Sequence, residues 1–267
     1  MKILFCGDIV GRTGREAVFN NIAKLKNEYS LDFIIANVDN ASGGFGINEN
    51  NVKDFTEIGI DVLTGGDHVW DKKEMLHYIT REKRILRPLN FPKSSPGAGA
   101  RIFTSISNKK ILVIHALGQV FIKNNLNCPF ESIDNILKNY KLGTDVDAIF
   151  VDFHAEATSE KMAMGKFLDG RVSAIIGSHT HIPTNDNHIM KKGTAYQTDA
   201  GMCGDYDSII GMDEDVPLRS FLSKRRVGKM VPAKKEATFC GSIIDIGDMG
   251  LAKNIDIVKI GGILTQT

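Results

Sequence analysis

The sequence predicts an α/β fold in which two mixed β-sheets stack on each other and helices cover their outer faces. Three observations predict it. Apolar runs of strand length alternate with amphipathic segments in the first part of the chain. One hairpin pattern occupies the middle and another the end. The strongest strand candidates end in polar residues, which is typical of a site along one edge of a sheet.

The first part of the chain reads as a series of βα units. A strand over residues 2–6 precedes a helix over residues 15–29, in which Val18, Ile22 and Leu25 recur at helical spacing. A second strand is predicted over 33–37, and a glycine-rich loop follows it. Asn48 is a good N-cap for a helix that reaches Phe55. A third strand over 61–63 and a short helix over 75–81 complete this part.

The second part is richer in β-structure. Proline and glycine over 86–99 predict an irregular loop. A hairpin with strands over 101–106 and 111–116 comes next, and strands over 147–153, 173–177 and 194–197 follow. A last hairpin joins 237–246 to 254–260. No flexible Gly/Ser stretch separates these elements, so we expect a single domain over residues 1–267.

Composition restricts the class of protein. The 267 residues are 42% hydrophobic, enough for a full core without disulfides. The four cysteines form no CxxC pair, which favours a reducing cytoplasm. A net charge of +1 gives no support to RNA or membrane binding, and no signal peptide or apolar run of about 18 residues is present. A homo-oligomer is compatible with a cytoplasmic enzyme of this size.

Metal-binding side chains follow the predicted strands. They are Asp8, Asp39, Asn40, Asp67, His154, His179 and His181. Because the carboxyl ends of strands in an open sheet line one crevice, we expect these side chains to lie together. Taken singly, Asp8 is also a helix cap and His179-Thr-His181 is also a pair of loop histidines. The glycines around Asp8 do not have the GxGxxG spacing of a dinucleotide site.

Oxygen and imidazole donors without a thiolate suit Fe or Mn best, with Zn or Mg also compatible. The set is too large for one tetrahedral ion, so we expect two ions that share a carboxylate. Such a pair promotes hydrolysis of a phosphoester by a bridging hydroxide. His68 follows Asp67, and neighbouring side chains diverge, so we expect His68 to face a substrate rather than the same ion. The alternative for His68 is a structural histidine.

The ordered motifs resemble the calcineurin-like metallophosphoesterase superfamily, in particular its YmdB-like branch of bacterial cyclic-nucleotide phosphodiesterases. They are Gly7-Asp8-Ile9-Val10-Gly11, Asn37-Val38-Asp39-Asn40-Ala41, Gly66-Asp67-His68-Val69-Trp70-Asp71, Asp152-Phe153-His154-Ala155-Glu156, Gly177-Ser178-His179-Thr180-His181 and Thr198-Asp199-Ala200-Gly201. The resemblance implies a four-layer α/β/β/α sandwich, two metal ions and hydrolysis of a small phosphoester, a 2',3'- or 3',5'-cyclic nucleotide.

The resemblance also implies roles for single residues. One ion takes Asp8, Asn40 and His181, the other takes Asp67, His154 and His179, and Asp39 bridges them. His68 becomes the catalytic histidine beside the scissile phosphate. Substrate-binding residues stay unassigned.

The chain departs from the pattern of this family at three places. Val10 stands where many relatives have a ligand histidine, Asp39 replaces a bridging glutamate, and Asp67 replaces an asparagine. The extra carboxylate at Asp67 tightens metal binding but repels a phosphate dianion. A regulatory protein that binds metal and nucleotide with weak turnover is therefore the second hypothesis. A metal-dependent hydrolase of another bond, such as an amide, is the third.

Overall fold

The computed structural model describes residues 1–122 and 125–267. The strands are β1 (Lys2–Cys6), β2 (Asp8–Ile9), β3 (Phe33–Asn37), β4 (Val62–Thr64), β5 (Ile85–Leu86), β6 (Ala100–Thr104), β7 (Lys110–Leu117), β8 (Ala148–His154), β9 (Ala174–Ser178), β10 (His188–Ile189), β11 (Ala195–Gln197), β12 (Met202–Asp205), β13 (Ala237–Ile246) and β14 (Ala252–Ile260). The helices are α1 (Gly11–Tyr29), α2 (Glu49–Glu57), α3 (Met75–Arg81), α4 (Pro129–Leu137), α5 (Thr158–Leu168) and α6 (Asp215–Ser223).

These strands form two mixed sheets. The first has eight strands in the order β2-β12-β13-β1-β3-β4-β5, with β14 paired to β13. In it β1, β3, β4 and β5 run parallel, whereas β13 lies antiparallel to β1. The second sheet has six strands in the order β10-β11-β9-β8-β7-β6. Its central strands β7, β8, β9 and β11 are parallel, and both edge strands are antiparallel to their neighbours.

Three hydrophobic layers hold the sheets and helices together. Between the sheets, Phe5 of β1 contacts Phe150 of β8 with ring centroids 5.3 Å apart. The outer face of the first sheet packs on α1, α2 and α3, and Val18 of α1 is fully buried there. The outer face of the second sheet packs on α4 and α5, where Ile133 and Met164 are buried. The predicted four-layer α/β/β/α sandwich is thereby confirmed.

The predicted elements are present, with shifted ends. Helix α1 begins at Gly11, earlier than predicted, because the backbone enters the helix directly after the extended Val10. Gly14 allows α1 to lie against β12, since a Cβ at that position would lie 2.1 Å from the carbonyl oxygen of Cys203. Asn48 caps α2 as predicted, and its side chain accepts a hydrogen bond from the Asn51 backbone N–H.

Several elements were not predicted from the sequence. They are the helices α4, α5 and α6 and the short strands β2, β5, β10 and β12. Strand β2 matters for the site because it holds Asp8 beside β12. Within the two described stretches of chain, no helix is both long enough and apolar enough to cross a membrane.

Candidate metal centre

The two sheets bring the predicted ligands to one edge of the sandwich. From the first sheet, Asp8 begins β2, Asp39 and Asn40 follow β3, and Asp67 follows β4. From the second sheet, the other ligands lie at or just after the ends of β8 and β9, and they are His154, His179 and His181. The parallel course of β1, β3 and β4, and of β8 and β9, makes their carboxyl ends converge.

His154 lies at the centre of this group and is fully buried. Its Nε2 atom is 3.5 Å from Asp39 Oδ2 and 3.6 Å from Asp67 Oδ1. His179 Nδ1 lies 3.0 Å from the same nitrogen. Ligand atoms of Asp67, His154 and His179 all lie within 4.8 Å of one another, close enough to bind one ion.

A second set of donors lies next to the first. His181 Nε2 is 3.1 Å from Asn40 Oδ1. The other ring nitrogen of His181 donates to the Ile210 carbonyl at 2.7 Å, which directs Nε2 toward Asn40. Asp8 Oδ2 accepts the backbone N–H of His179 at 3.0 Å, and Asp8 Oδ1 lies 3.6 Å from His154 Nδ1, so Asp8 borders the first set.

His68 lies closer to the carboxylates than we expected from the sequence. Atoms of Asp39, Asp67 and His68 lie within 4.8 Å of one another. The backbone N–H of His68 donates to Asp39 Oδ1 at 2.9 Å, and its Nδ1 atom lies 2.8 Å from Asp71 Oδ2. The ring can therefore reach either an ion or a substrate, whereas the sequence predicted that it faces a substrate rather than the same ion as Asp67.

A buried polar layer behind His154 was missed by the sequence analysis. Ser178 Oγ donates to Asp152 Oδ1 at 2.6 Å and faces His154 Nδ1 at 2.9 Å, which leaves His154 Nε2 free to bind a cation. His115 falls in the predicted strand over 111–116, and its ring nitrogens lie 3.1 Å from Asp152 Oδ2 and 3.0 Å from the Gly65 carbonyl oxygen. Despite its burial, the pKa of Asp152 is lowered to about 2 by His115 and nearby hydrogen bonds.

The electrostatics of the cluster favour a cation. Burial raises the pKa of Asp8 to about 6. His154 is buried, yet its pKa is raised well above the usual value by Asp39 and Asp67. Burial, and then the neighbouring His154, lower the pKa of His179 to about 4. Burial and mutual charge interactions thus shift the pKa values of several carboxyl and imidazole groups in the cluster, as expected where metal ligands share a small volume.

The hydrogen-bond inventory supports the same conclusion. Among the described side chains, Asp8 Oδ1 and Asp67 Oδ1 are buried carboxylate oxygens without a hydrogen-bond partner. An unpartnered buried carboxylate oxygen is costly, and a divalent cation satisfies it. The oxygen and imidazole donors are those that Fe, Mn, Zn or Mg accept. The residues present therefore fit a metal centre.

A cavity of about 340 Å³ opens beside the cluster. The predicted ligands Asp39, Asn40, His179 and His181 line it together with His68. Its other described lining residues are Phe45, Glu156, Thr180, Ile210, Met212 and Met230. A volume near the lower end of the usual range, about 300–1,000 Å³, suits a small ligand.

Comparison with known proteins extends these observations to the whole chain. The family model described as YmdB-like protein matches residues 4–258. The 2',3'-cyclic-nucleotide 2'-phosphodiesterase of Bacillus subtilis (strain 168) is 42% identical over 248 residues, which cover 93% of this chain and 92% of that protein.

Solved structures agree closely with the fold. A hypothetical protein from Thermus thermophilus superimposes with a TM-score of 0.91 at 35% identity, over 98% of this chain and 100% of that one. A structure titled as a novel phosphatase from Mycoplasma pneumoniae gives a TM-score of 0.91 at 32% identity, over 98% and 93% of the two chains.

Proposed function

This chain belongs to the YmdB-like family of calcineurin-like metallophosphoesterases, and from that premise we propose that it hydrolyses cyclic nucleotides at a centre of two metal ions. It is a hydrolase of the metallophosphoesterase type, with relatives named as a phosphodiesterase and a phosphatase. The substrates proposed are 2',3'- or 3',5'-cyclic nucleotides, and the first is the class named for the Bacillus subtilis relative.

One observation carries the proposal. Carboxylates from the first sheet meet imidazoles from the second, and two buried carboxylate oxygens have no hydrogen-bond partner among the residues that the structure describes. We assign one ion to Asp8, Asn40 and His181 and the other to Asp67, His154 and His179. Asp39 is the shared ligand, because its carboxylate lies near His154 and Asn40 follows it in the chain. When bound, two such ions supply a water of lowered pKa and neutralise charge on the phosphoryl oxygens.

The residues of the chain orient and protonate the reactants. Ser178 fixes the tautomer of His154, and the Ile210 carbonyl fixes that of His181. Asp71 holds the Nδ1 atom of His68, so the opposite ring nitrogen is available to the cavity that His68 lines. In this proposal that nitrogen donates a proton to the leaving oxygen of the diester.

The test combines metal content with turnover. Protein purified without chelator is analysed for its elements and assayed against 2',3'- and 3',5'-cyclic nucleotides with added Mn²⁺. We expect two transition ions per chain and hydrolysis of at least one class. As a matched control, His154→Gln removes a central ligand and should lose both metal and turnover, whereas His188→Gln, at an exposed residue of β10, should lose neither.

A second candidate is a regulatory protein that binds metal and nucleotide with little turnover. The carboxylate of Asp67 favours it, since this charge reduces the Lewis acidity of an ion and repels phosphate. Asp67→Asn distinguishes the two functions. If the native chain binds two ions and a cyclic nucleotide without hydrolysing it, and Asp67→Asn hydrolyses it rapidly, the regulatory function replaces the enzymatic one.

A further inference from the structure

The cavity beside the metal centre has an apolar wall, which consists of Phe45, Ile210, Met212 and Met230. This wall has no part in the ligand set or in the proton transfer assigned above. It shares the cavity with His68 and with the predicted ligands, so a molecule held by the ions would also contact it. Of the described residues that line the cavity, none is lysine or arginine. A second phosphate group of a ligand would therefore find no cationic side chain among them.

The wall is built on a small hydrophobic cluster of its own. Met212 is buried and packs with Val10 and Met202, while Phe45 and Met230 pack against this cluster. Val10 is the residue that stands where many relatives have a ligand histidine, so this position contributes to an apolar support instead. The rings of Phe45 and His68 form a T-shaped pair with centroids 5.1 Å apart, which joins the wall to the proposed proton donor.

Ile210 adds an independent observation. Its φ angle is 49°, in the left-handed region that β-branched residues rarely adopt. Its side chain is nevertheless 51% exposed, so burial does not explain why isoleucine occurs at this strained position. Backbone strain of this kind persists only where the surrounding structure enforces it, and such positions cluster at functional sites. Here the Ile210 carbonyl orients His181 while the side chain faces the cavity lining.

We propose that this apolar wall is the subsite for the base of the nucleotide substrate. The wall holds the base by packing against its face and makes no hydrogen bond to its edges. The inference rests on the proposed function above. Methionine thioethers and aromatic rings pack well on flat aromatic surfaces. The four wall side chains carry no N–H or O–H group, so they cannot distinguish the hydrogen-bonding edges of different bases. The substrates are therefore cyclic mononucleotides of any base rather than one particular nucleotide.

The substitution Ile210→Asn tests the wall. Asparagine tolerates a positive φ angle, so the backbone and the carbonyl that orients His181 are retained. The matched control is Ile106→Asn, at an exposed position in the turn between β6 and β7. KM and kcat are measured for adenosine 2',3'-cyclic phosphate and for ribose 2',3'-cyclic phosphate, which lacks the base.

The native chain should show a KM about tenfold lower for the adenosine compound than for the ribose compound, because stacking of one base on a protein strengthens binding by about tenfold or more. Ile210→Asn should remove most of this difference by raising the KM of the adenosine compound alone. Ile106→Asn should behave like the native chain. The four common 2',3'-cyclic nucleotides should have KM values within about threefold of one another.

Two results would overturn the subsite: a KM that Ile210→Asn changes equally for both compounds, or a strong preference of the native chain for one base. A second variant, Met230→Ser, removes a different part of the wall and should reproduce the loss. If the native chain hydrolyses neither these compounds nor a 3',5'-cyclic nucleotide, the proposed function fails, yet the subsite can still be judged. The Kd of adenosine 2',3'-cyclic phosphate on metal-loaded protein should then rise about tenfold in Ile210→Asn, and an unchanged Kd refutes the subsite.

Discussion

Thr180 donates both its backbone N–H and its hydroxyl to the same carboxylate oxygen of Asp199, at 3.1 and 2.8 Å. Thr180 lies between the two histidines that follow β9. Both of these, His179 and His181, have left-handed backbones, with φ angles of 97° and 68°. Asp199 thus holds the short turn that directs two predicted ligands toward the centre. The carboxylate also accepts Lys161 Nζ at 2.6 Å, and this ion pair is buried.

The buried pair predicts different effects for its two members. Asp199→Asn leaves Lys161 charged and unpaired, which should lower the free energy of unfolding by about 3–5 kcal/mol. It should also reduce metal content, because the turn around Thr180 loses its charged acceptor. Lys161→Met should cost a similar free energy of unfolding but retain the metal, since Asp199 still accepts from Thr180 and Gly201. Urea denaturation and elemental analysis measure both, and equal metal loss in the two variants would contradict this role of Asp199.

Replacement of His68 distinguishes a proton donor from a ligand. If His68 acts on the substrate, His68→Ala should lower kcat by about 10²- to 10⁴-fold and leave the number of bound ions unchanged. Asp71→Asn, which removes the partner of His68 Nδ1, should produce a smaller decrease. Kinetics and elemental analysis on the same preparations provide the measurement. Loss of one ion in His68→Ala would instead make His68 a ligand, as its distance from Asp39 and Asp67 permits.

Gly66 is predicted to be intolerant of any side chain. A Cβ there would lie 2.4 Å from His154 Nε2 and 2.8 Å from Asp39 Cγ. Gly66→Ala should therefore displace the central ligands and abolish metal binding. Gly59→Ala is the control, because its φ angle of +90° imposes backbone strain, about 1–2 kcal/mol, but its nearest neighbour is Lys26 Nζ at 3.6 Å. Metal retention by Gly66→Ala would show that the centre is more plastic than the structure indicates.

The cysteines predict a thiol titration. Cys6, Cys203 and Cys240 are buried, and only Cys128 of the four is exposed. Burial raises the pKa of Cys240 to about 11 and that of Cys203 well above its usual value. Since the thiolate is the reactive form, a colorimetric reagent should label one thiol in the folded protein and four in urea. Rapid labelling of more than one thiol without denaturant would mean that the first sheet opens.

The sequence identified the centre because its ligands terminate strands. Asp39, Asp67 and His154 each follow or end an apolar run, and an apolar run that stops at a polar residue is visible without coordinates. Ser178 also ends a strand, but a serine hydroxyl does not mark a metal ligand, and His115 lies inside β7. Their roles depend on Asp152, to which the fold brings them from other strands. Contacts of this kind require the register between β7, β8 and β9.

Helix α5 shows where periodicity fails. Glu160 and Lys161 are buried, whereas Met162 and Phe167 are exposed, so the pattern of apolar residues does not mark the inner face. Buried Glu160 accepts backbone N–H groups of the 119–120 segment, and Lys161 binds Asp199. Helix α4 was also missed, although its sequence carries signals of a helix: Pro129 stands at its first turn, and Ile133 faces the core.

The position of β1 has a consequence for how a nascent chain acquires its metal. Although β1 is synthesised long before β13, it lies inside its sheet between β3 and β13, and Lys2 pairs with Asp245. Strand β2, which carries Asp8, pairs with β12, and β12 pairs with β13, so this part of the sheet is complete only after β13 has been synthesised. Pairings so distant in sequence slow folding. We therefore expect the metal centre to form only after β13 has been synthesised, and a chain interrupted before β13 should not bind the metal.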